Sequence, residues 1–184
     1  WFADNLVSLV QIIIKNKKTM ENLESGLARL ANPFNKIIHK RRQNSIKGSK
    51  KNILAHYDLS NDFYRLWLDS TMTYSCGVFL NEDSSMKEAS VEKLDRFCRM
   101  LKLTKNDKVL EIGTGWGSFA LHAAKNYGCH VTTTTISDNQ FSYVSDLISK
   151  ENLWSQITLL NSDYRELEGS YDKIASIEMI EAVG

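Results

Sequence analysis

The residues best suited to chemistry form one short run, Val109 to Gly117, in which an apolar segment contains an acid and leads into three glycines. The acid is Glu111, and Gly113, Gly115 and Gly117 follow it at a spacing of two. A helical apolar pattern comes next. A strand, a glycine turn and a helix in this order bring backbone N–H groups and a positive helix end close to a ligand. The run therefore predicts a small-molecule binding loop.

The spacing of the glycines distinguishes between classes of ligand. A phosphate-binding loop requires G-x-x-x-x-G-K-[ST], which is absent, and a dinucleotide turn requires a glycine where Ser118 stands. The acid and the tight G-x-G-x-G pattern favour a cationic nucleoside that carries an amino acid, of which S-adenosylmethionine is the common one. The alternative is a plain strand–helix corner, where glycines only allow close packing.

Composition indicates a globular α/β protein of one domain with an appended segment. The chain has 184 residues, 42% of them hydrophobic. The three cysteines (Cys76, Cys98 and Cys129) are far apart, so we expect neither a disulfide framework nor a metal site, and a reducing cytoplasm is the simplest location. The run Leu6 to Ile14 is too short to span a bilayer and is expected to form an amphipathic or buried helix.

Charge is distributed unevenly along the chain. No acid occurs between Glu24 and Asp58, whereas the stretch from Arg29 to Lys51 contains eight lysines and arginines. Such a stretch favours an anionic partner, either a nucleic acid or an acidic membrane surface. A solvated linker is the alternative. Because the chain begins at Trp1 and stops at Gly184, just after a strand-like run, we expect an internal fragment of a longer protein.

Three segments follow from the patterns along the chain: a basic helical segment at 1–52, an irregular aromatic segment at 53–84 and a regular part at 85–184. In the regular part, strands are predicted at 108–112, 130–136, 157–160 and 173–177, with helices between them. This alternation predicts the α/β class and a doubly wound parallel sheet. Every notable motif then falls at the carboxyl ends of strands, where such sheets bind ligands.

Two further runs carry a specific resemblance: H-Y-D-L-S-N-D-F-Y at His56–Tyr64 and T-M-T-Y-S-C at Thr71–Cys76. Together they resemble the cyclopropane-fatty-acyl-phospholipid synthases, relatives of the mycolic acid cyclopropane synthases. Motifs of the same family recur in the same order at Val109–Gly117, Thr132–Ser137, Asp163–Arg165 and Ser176–Gly184. The resemblance covers roughly residues 36–184 and implies a Rossmann-like class I methyltransferase fold, of which residues 85–184 would be the first half.

The resemblance implies transfer of the sulfonium methyl group of S-adenosylmethionine to a cis double bond of a phospholipid acyl chain, followed by proton loss and ring closure. An alkene is a weak nucleophile and the cation it forms is captured by water, so the pocket must be dry and lined with aromatic faces. The family's base is a bound bicarbonate ion. A glutamate, a backbone group at a cysteine, and a histidine and a tyrosine further along the chain hold it.

Carried over by motif, Glu181 would hold the bicarbonate, Cys76 would contribute its backbone N–H, and Ile177 would line the ion site. The histidine and the tyrosine would lie beyond Gly184. A carboxylate at a helix start is the alternative for Glu181, and nothing in the sequence indicates a lowered thiol pKa at Cys76. Glu178 replaces a glycine that is common in the mycolic branch, which favours the phospholipid branch.

The cofactor residues are carried over in the same way. The three glycines would lie against the methionine part and the ribose, Glu111 would organise the amino group, and Thr114 stands where many relatives have cysteine. Thr135, Ile136 and Ser137 end the second strand, and the amide of Gln140 would hold the ribose. The remaining predicted residues are Asp163 and Tyr164 beside adenine and Tyr74 and Ser75 as a cover. Ordinary packing is the alternative for the two tyrosines.

The partners implied are phospholipid acyl chains at an anionic membrane surface, without nucleic acid, and a homodimer is left open. The implied location is cytoplasmic, peripheral to the inner face of the membrane. Two alternatives stay open. One is a related methyltransferase that leaves its product uncyclised or acts on another substrate. The other is a non-catalytic truncated product.

Overall fold

The computed structural model describes residues 7–8, 11–12, 14–17 and 61–179. The first three groups are helical, as predicted, and exposed. In the described part of the chain, no helix is both long and apolar enough to cross a membrane. The chain divides into two units, Trp1–Gln43 and Asn44–Gly184. The basic stretch from Arg29 to Lys51, the motif residues 56–60 and Glu181 lie outside the described residues, so the predictions made for them stay predictions.

Four helices and four strands make up the described part of the second unit, together with a 3₁₀ turn at Tyr164–Glu166. In chain order they are α1 (Asn61–Arg65), α2 (Met86–Met100), β1 (Lys108–Ile112), α3 (Ser118–Tyr127), β2 (His130–Thr135), α4 (Asp138–Lys150), β3 (Ile157–Asn161) and β4 (Lys173–Ser176).

The four strands form one parallel sheet in the order β3–β2–β1–β4. The chain moves outward from β1 to β3 and then returns to the other side of β1. The order therefore reverses between β1 and β4, which is the position where parallel sheets of this kind bind ligands. The predicted α/β class and doubly wound strand order are confirmed.

Local signals explain where the helices begin and end. Ser85 and Glu88 form a capping box at the start of α2: the Ser85 hydroxyl accepts from the Glu88 N–H (3.3 Å) and the Glu88 carboxylate accepts from the Ser85 N–H (2.8 Å). The end of α3 is set by Gly128. This residue adopts a φ of +71°, and its N–H donates to the Ala124 carbonyl. The start of α2 agrees with the predicted start of the regular part at residue 85.

Three strand ends differ from the prediction by one residue: β3 continues to Asn161 rather than ending at Leu160, and two other strands end early. β2 ends at Thr135 rather than Ile136, and β4 ends at Ser176 rather than Ile177. At β2 the cause is local: the Ser137 N–H donates to the Thr135 hydroxyl, and the Ser137 side chain already caps α4. These shifts release Ile136 and Ile177 from the ladder at the ligand-binding edge.

The main hydrophobic core lies between the sheet and the helices α2, α3 and α4. Its fully buried side chains include Val109, Phe119, Val131, Val144 and Ile148. Burying each such side chain contributes on the order of 2 kcal/mol. This core fixes the positions of the carboxyl ends of the strands.

Candidate functional site

A pocket opens at the carboxyl ends of the strands, where the strand order reverses. Twelve of the residues that the sequence predicted line it together: Tyr74, Ser75, Glu111, Gly113, Thr114, Gly115, Thr135, Ile136, Gln140, Asp163, Tyr164 and Ile177. They come from five stretches that are separate in the sequence, and the fold brings these stretches together at one pocket.

The glycine loop forms the floor of the pocket after β1. Gly113 and Gly115 have φ values of +92° and +54°, a region that side chains disfavour. The N–H groups of Gly113 and Thr114 donate to the Thr134 carbonyl at 3.2 and 3.0 Å, which holds the loop against β2. A Cβ atom placed on Gly115 would meet no other atom within 4 Å. The space beside Gly115 is therefore open for a ligand.

Glu111 is buried beneath this loop, with 3% of its surface exposed. Its Oε2 accepts a hydrogen bond from the Thr133 hydroxyl at 2.6 Å, and the Thr133 and Thr114 hydroxyls are 2.7 Å apart. Burial raises the pKa of Glu111 to about 8, although the Thr133 hydrogen bond opposes the shift. A cation bound in the pocket would favour the ionised carboxylate. The site is thus suited to a positively charged ligand.

An amide lies at the end of β2. The Thr135 hydroxyl donates to Gln140 Oε1 at 2.8 Å, which orients the carboxamide of this pocket-lining residue. This placement fits the predicted hydrogen bond to a ribose hydroxyl.

Asp163 and Tyr164 follow β3 and form the next part of the wall. The Asp163 carboxylate accepts from Arg165 at the backbone N (3.0 Å), Nε (2.8 Å) and Nη2 (2.6 Å). These hydrogen bonds lower the pKa of Asp163, which is buried and stays ionised. The Arg165 guanidinium in turn lies 5.6 Å from the centre of the Tyr164 ring. The ring and carboxylate are thereby held at the predicted adenine position.

An aromatic cluster joins the 61–79 stretch to the glycine loop. Trp116, a loop residue, is buried, and its ring centre lies 4.5 Å from that of Tyr64. Its Nε1 donates to Asn61 Oδ1 at 2.9 Å. Tyr74 packs edge-to-face on Trp67 at 5.4 Å and stays half exposed. Residues 71–76 form the cover segment. Helix α1, which lies within the segment predicted to be irregular, supplies the aromatic contacts that bring the cover segment to the pocket.

Of the predicted site residues that the structure describes, three do not line the pocket. Gly117 begins α3 with a φ of +83°, and a Cβ there would come within 2.8 Å of Leu121 and 3.0 Å of Val144. Close packing accounts for this glycine, which is the alternative that the sequence left open. Ser137 is occupied as the cap of α4, and Cys76 is exposed, with its Sγ 3.7 Å from Glu178 Oε1.

The lining residues that sequence reasoning missed include Lys93, Glu178 and Met179. Met179 packs so closely on Gly113 that a Cβ there would lie 2.6 Å from Met179 Cγ. Lys93 is a buried lysine of α2 whose Nζ lies 2.9 Å from Glu178 Oε1. Helical periodicity could have predicted the inward position of Lys93. This residue lies one turn before Phe97 and next to Leu94, on the side of α2 that faces inward.

The described residues contain no group of three or more histidine, cysteine or acidic side chains that could hold a metal ion. The buried thiols are also poor nucleophiles, since desolvation raises the pKa of Cys98 to about 12 and also raises the pKa of Cys129. In the described part, the polar chemistry of the pocket comes from the carboxylates Glu111 and Asp163, the Lys93–Glu178 pair, and hydroxyl and amide groups, next to aromatic rings.

Comparison with known proteins gives consistent matches. The family model "Mycolic acid cyclopropane synthetase" matches residues 44–184. A protein of Pseudomonas putida named "probable fatty acid methyltransferase" is 38% identical over 146 residues, covering 78% of this chain and 37% of that protein. Cyclopropane mycolic acid synthase 1 of Mycobacterium tuberculosis is 39% identical over 134 residues, covering 72% of this chain and 46% of that protein.

A solved structure agrees with these matches. The mycolic acid cyclopropane synthase CmaA1, complexed with SAH and CTAB, superimposes with a TM-score of 0.69 and 35% identity over 72% of this chain and 46% of that one. The chain spans less than half the length of the relatives described here. The family match, which the motifs predicted, is confirmed over the whole described α/β unit. The chain belongs to the mycolic acid cyclopropane synthetase family, whose fold is that of the class I S-adenosylmethionine-dependent methyltransferases.

Proposed function

We propose that the protein transfers the methyl group of S-adenosylmethionine to a cis double bond of an unsaturated phospholipid acyl chain and closes a cyclopropane ring. One observation carries the cofactor assignment: the buried acid Glu111 lies beneath a glycine loop that leaves open space at Gly115. A cation next to that acid and a nucleoside along Gln140 and Asp163 would place ligand polar groups beside all three of these side chains. The family of the chain supports the reaction class.

The residues of the pocket suit this reaction. When bound, S-adenosylmethionine supplies an electrophilic methyl group on a sulfonium. Glu111 and the open backbone at Gly115 would orient the amino acid part of the cofactor. The rings of Tyr74 and Trp116, which pack against the buried Tyr64, would exclude water and present negative faces to positive charge that develops on the acyl chain.

The base that removes the last proton is proposed from the resemblance to be a bicarbonate ion. Of the residues that would hold it, Cys76 and Ile177 are described and both adjoin the side of the pocket formed after β4. Glu181 lies outside the described residues. The test of this part is the variant Glu181→Gln, which keeps the size of the side chain and removes its charge. Cofactor binding should persist while product formation falls by orders of magnitude.

The substrate and location are proposed together. A phospholipid acyl chain stays in its bilayer, so the enzyme must reach the membrane surface, and the basic stretch from Arg29 to Lys51 would bind an anionic leaflet. This corresponds to a cytoplasmic protein held peripherally at the inner face of the membrane. A homodimer is compatible with this arrangement.

A second candidate is methyl transfer without ring closure. It is favoured by the relative from Pseudomonas putida, which is named a probable fatty acid methyltransferase and is as similar to this chain as the cyclopropane synthase from Mycobacterium tuberculosis. Both candidates use the same cofactor pocket and differ in the fate of the alkylated chain.

The proposal is tested with the full-length protein, methyl-labelled S-adenosylmethionine and vesicles of phospholipids with cis-monounsaturated chains. Label should enter the acyl chains, and vesicles of saturated lipids should stay unlabelled. Gly115→Val is the control enzyme, because a branched side chain would fill the open space in the pocket and the backbone there has a φ of +54°. A protein that binds the cofactor but labels no unsaturated lipid would contradict the lipid substrate.

A further inference from the structure

An ion pair at the pocket, between the buried Lys93 and the partly exposed Glu178, has no role in the reaction proposed above. Lys93 projects from α2 with 7% of its side chain exposed. Its ammonium group lies 2.9 Å from Glu178 Oε1, after β4, and donates a hydrogen bond to the Ser75 hydroxyl in the cover segment. One side chain thus joins three segments that are far apart in the sequence.

Two further contacts join α2 to the chain on either side of the cover segment. The Ser90 hydroxyl donates to Asp69 Oδ2 at 2.7 Å, and the Val78 N–H donates to the Ala89 carbonyl at 2.9 Å. These two contacts flank the cover segment, whereas the contact with Lys93 falls within it, at the pocket. Lys93 therefore positions Ser75 rather than holding the whole segment to the helix.

The positive charge of Lys93 would weaken the binding of a cationic ligand in the same pocket. A buried ammonium without a counter-ion is strongly disfavoured and repels other positive charge. Lys93, Glu178 and Ser75 all line the pocket. Glu178 is the carboxylate that faces the ammonium, and it is held there with a backbone φ of +53°, a strained value for a residue other than glycine.

We propose that Lys93 is a positioning residue that fixes Ser75 at the pocket, and that Glu178 neutralises it so that a cationic methyl donor can bind beside a buried ammonium. This inference rests on the proposed function, because it assigns the pair to S-adenosylmethionine. S-Adenosylmethionine and its product S-adenosylhomocysteine differ in charge by the one positive unit on sulfur. The charge state of the pair therefore controls the ratio of the two affinities, whereas a purely structural pair would leave that ratio unchanged.

The test measures the dissociation constants of both molecules by calorimetry on the full-length protein and three variants. Glu178→Gln keeps the shape and leaves the ammonium unpaired, so binding of S-adenosylmethionine should weaken about tenfold more than binding of S-adenosylhomocysteine. Lys93→Met leaves the carboxylate unpaired and should shift the ratio in the opposite direction. The double variant should return the ratio close to that of the wild type.

A control comes from an ion pair away from the pocket, Lys125–Glu151, with a distance of 2.7 Å. Glu151→Gln should leave the affinity ratio unchanged. A ratio that also stays unchanged in Glu178→Gln would overturn the proposal and make the Lys93 pair structural only. This variant decides the question alone if Lys93→Met does not fold. A wild-type protein that binds neither molecule would instead contradict the proposed function, so the two failures are distinguishable.

Discussion

Glu111 of β1 and Thr133 of β2 are register partners in neighbouring parallel strands, and the Thr133 hydroxyl donates to Glu111 Oε2 over 2.6 Å. This is the one hydrogen bond that the structure gives the Glu111 side chain among the described residues. The carboxyl group is otherwise enclosed by the sheet and the glycine loop. Its ionisation is therefore coupled to whatever charge enters the pocket.

The first prediction concerns the pH dependence of cofactor binding. The pKa of Glu111 is raised to about 8, so the acid is mostly neutral in the free protein at pH 6. Because the cationic cofactor favours the carboxylate, binding releases a proton, and affinity should rise by up to about tenfold per pH unit between roughly pH 6 and 7.5. Calorimetry in buffers of different ionisation enthalpy measures both effects. In Glu111→Gln the dependence should vanish and affinity should fall.

The second prediction concerns stability in the absence of ligand. The pKa of Glu111 in the folded state lies above the ordinary value of 4.5. The free-energy cost of burying this side chain is therefore lowest when the acid is protonated. As the pH rises from 4.5 through 8, this group should lower the free energy of unfolding by up to about 1.4 kcal/mol per pH unit. Glu111→Gln removes this contribution. At pH 8 the variant should melt at a higher temperature than the wild type, and a lower melting temperature would argue that Glu111 is ionised and stabilising.

The third prediction separates two glycines of the loop. In Gly115→Ala the added Cβ meets no protein atom, so the variant should lose about 1 kcal/mol of stability from its backbone angle and lose much of its cofactor affinity. In Gly117→Ala the Cβ meets Leu121 and Val144, so stability should fall by about 2–3 kcal/mol. Thermal melts and calorimetry on both variants measure the contrast. Wild-type affinity in Gly115→Ala would show that no ligand occupies that space.

The sequence was sufficient for the features that depend on neighbouring residues. The start of the regular part at residue 85 is a local signal, and in the structure the capping box at Ser85 begins α2 there. The predicted end of β1 agrees with the structure, and the predicted ends of β2, β3 and β4 are wrong by one residue. The motif at Val109 to Gly117 also identified the floor of the pocket, because a strand, a glycine turn and a helix are consecutive in the chain.

Features that depend on long-range contact could not be predicted. Lys93 and Glu178 are 85 residues apart, and their pairing follows from the way α2 packs beside the end of β4. The aromatic contacts of Trp116 with Tyr64 likewise depend on the docking of α1. Conversely, Gly117 matched the motif but allows close packing at the start of α3. Its φ is positive there, and an added Cβ would contact Val144.

The fourth prediction concerns membrane binding. The full-length protein should bind vesicles rich in anionic lipid, because each lysine or arginine near such a surface contributes about 1 kcal/mol. Added salt should weaken this binding by screening. Vesicle flotation should fall when six residues are changed to glutamine: Lys40, Arg41, Arg42, Lys47, Lys50 and Lys51.

The cofactor affinity of this six-residue variant should equal that of the wild type. A second control changes Lys87, Lys105 and Lys150, which are exposed on the α/β unit, to glutamine and should bind vesicles normally. Flotation that is indifferent to salt and to the six changes would leave the basic stretch as a solvated linker.

The fifth prediction concerns the product itself and tests the central claim. Phospholipids with cis-monounsaturated chains, incubated with the full-length protein and S-adenosylmethionine, are recovered and their acyl chains are analysed by proton NMR and mass spectrometry. Ring formation predicts the gain of one CH₂ unit, the loss of the vinylic protons and the appearance of high-field cyclopropane signals. A chain that gains a methyl branch, with its double bond kept or reduced and no ring signals, would contradict the account and identify the protein as a lipid methyltransferase without cyclase activity.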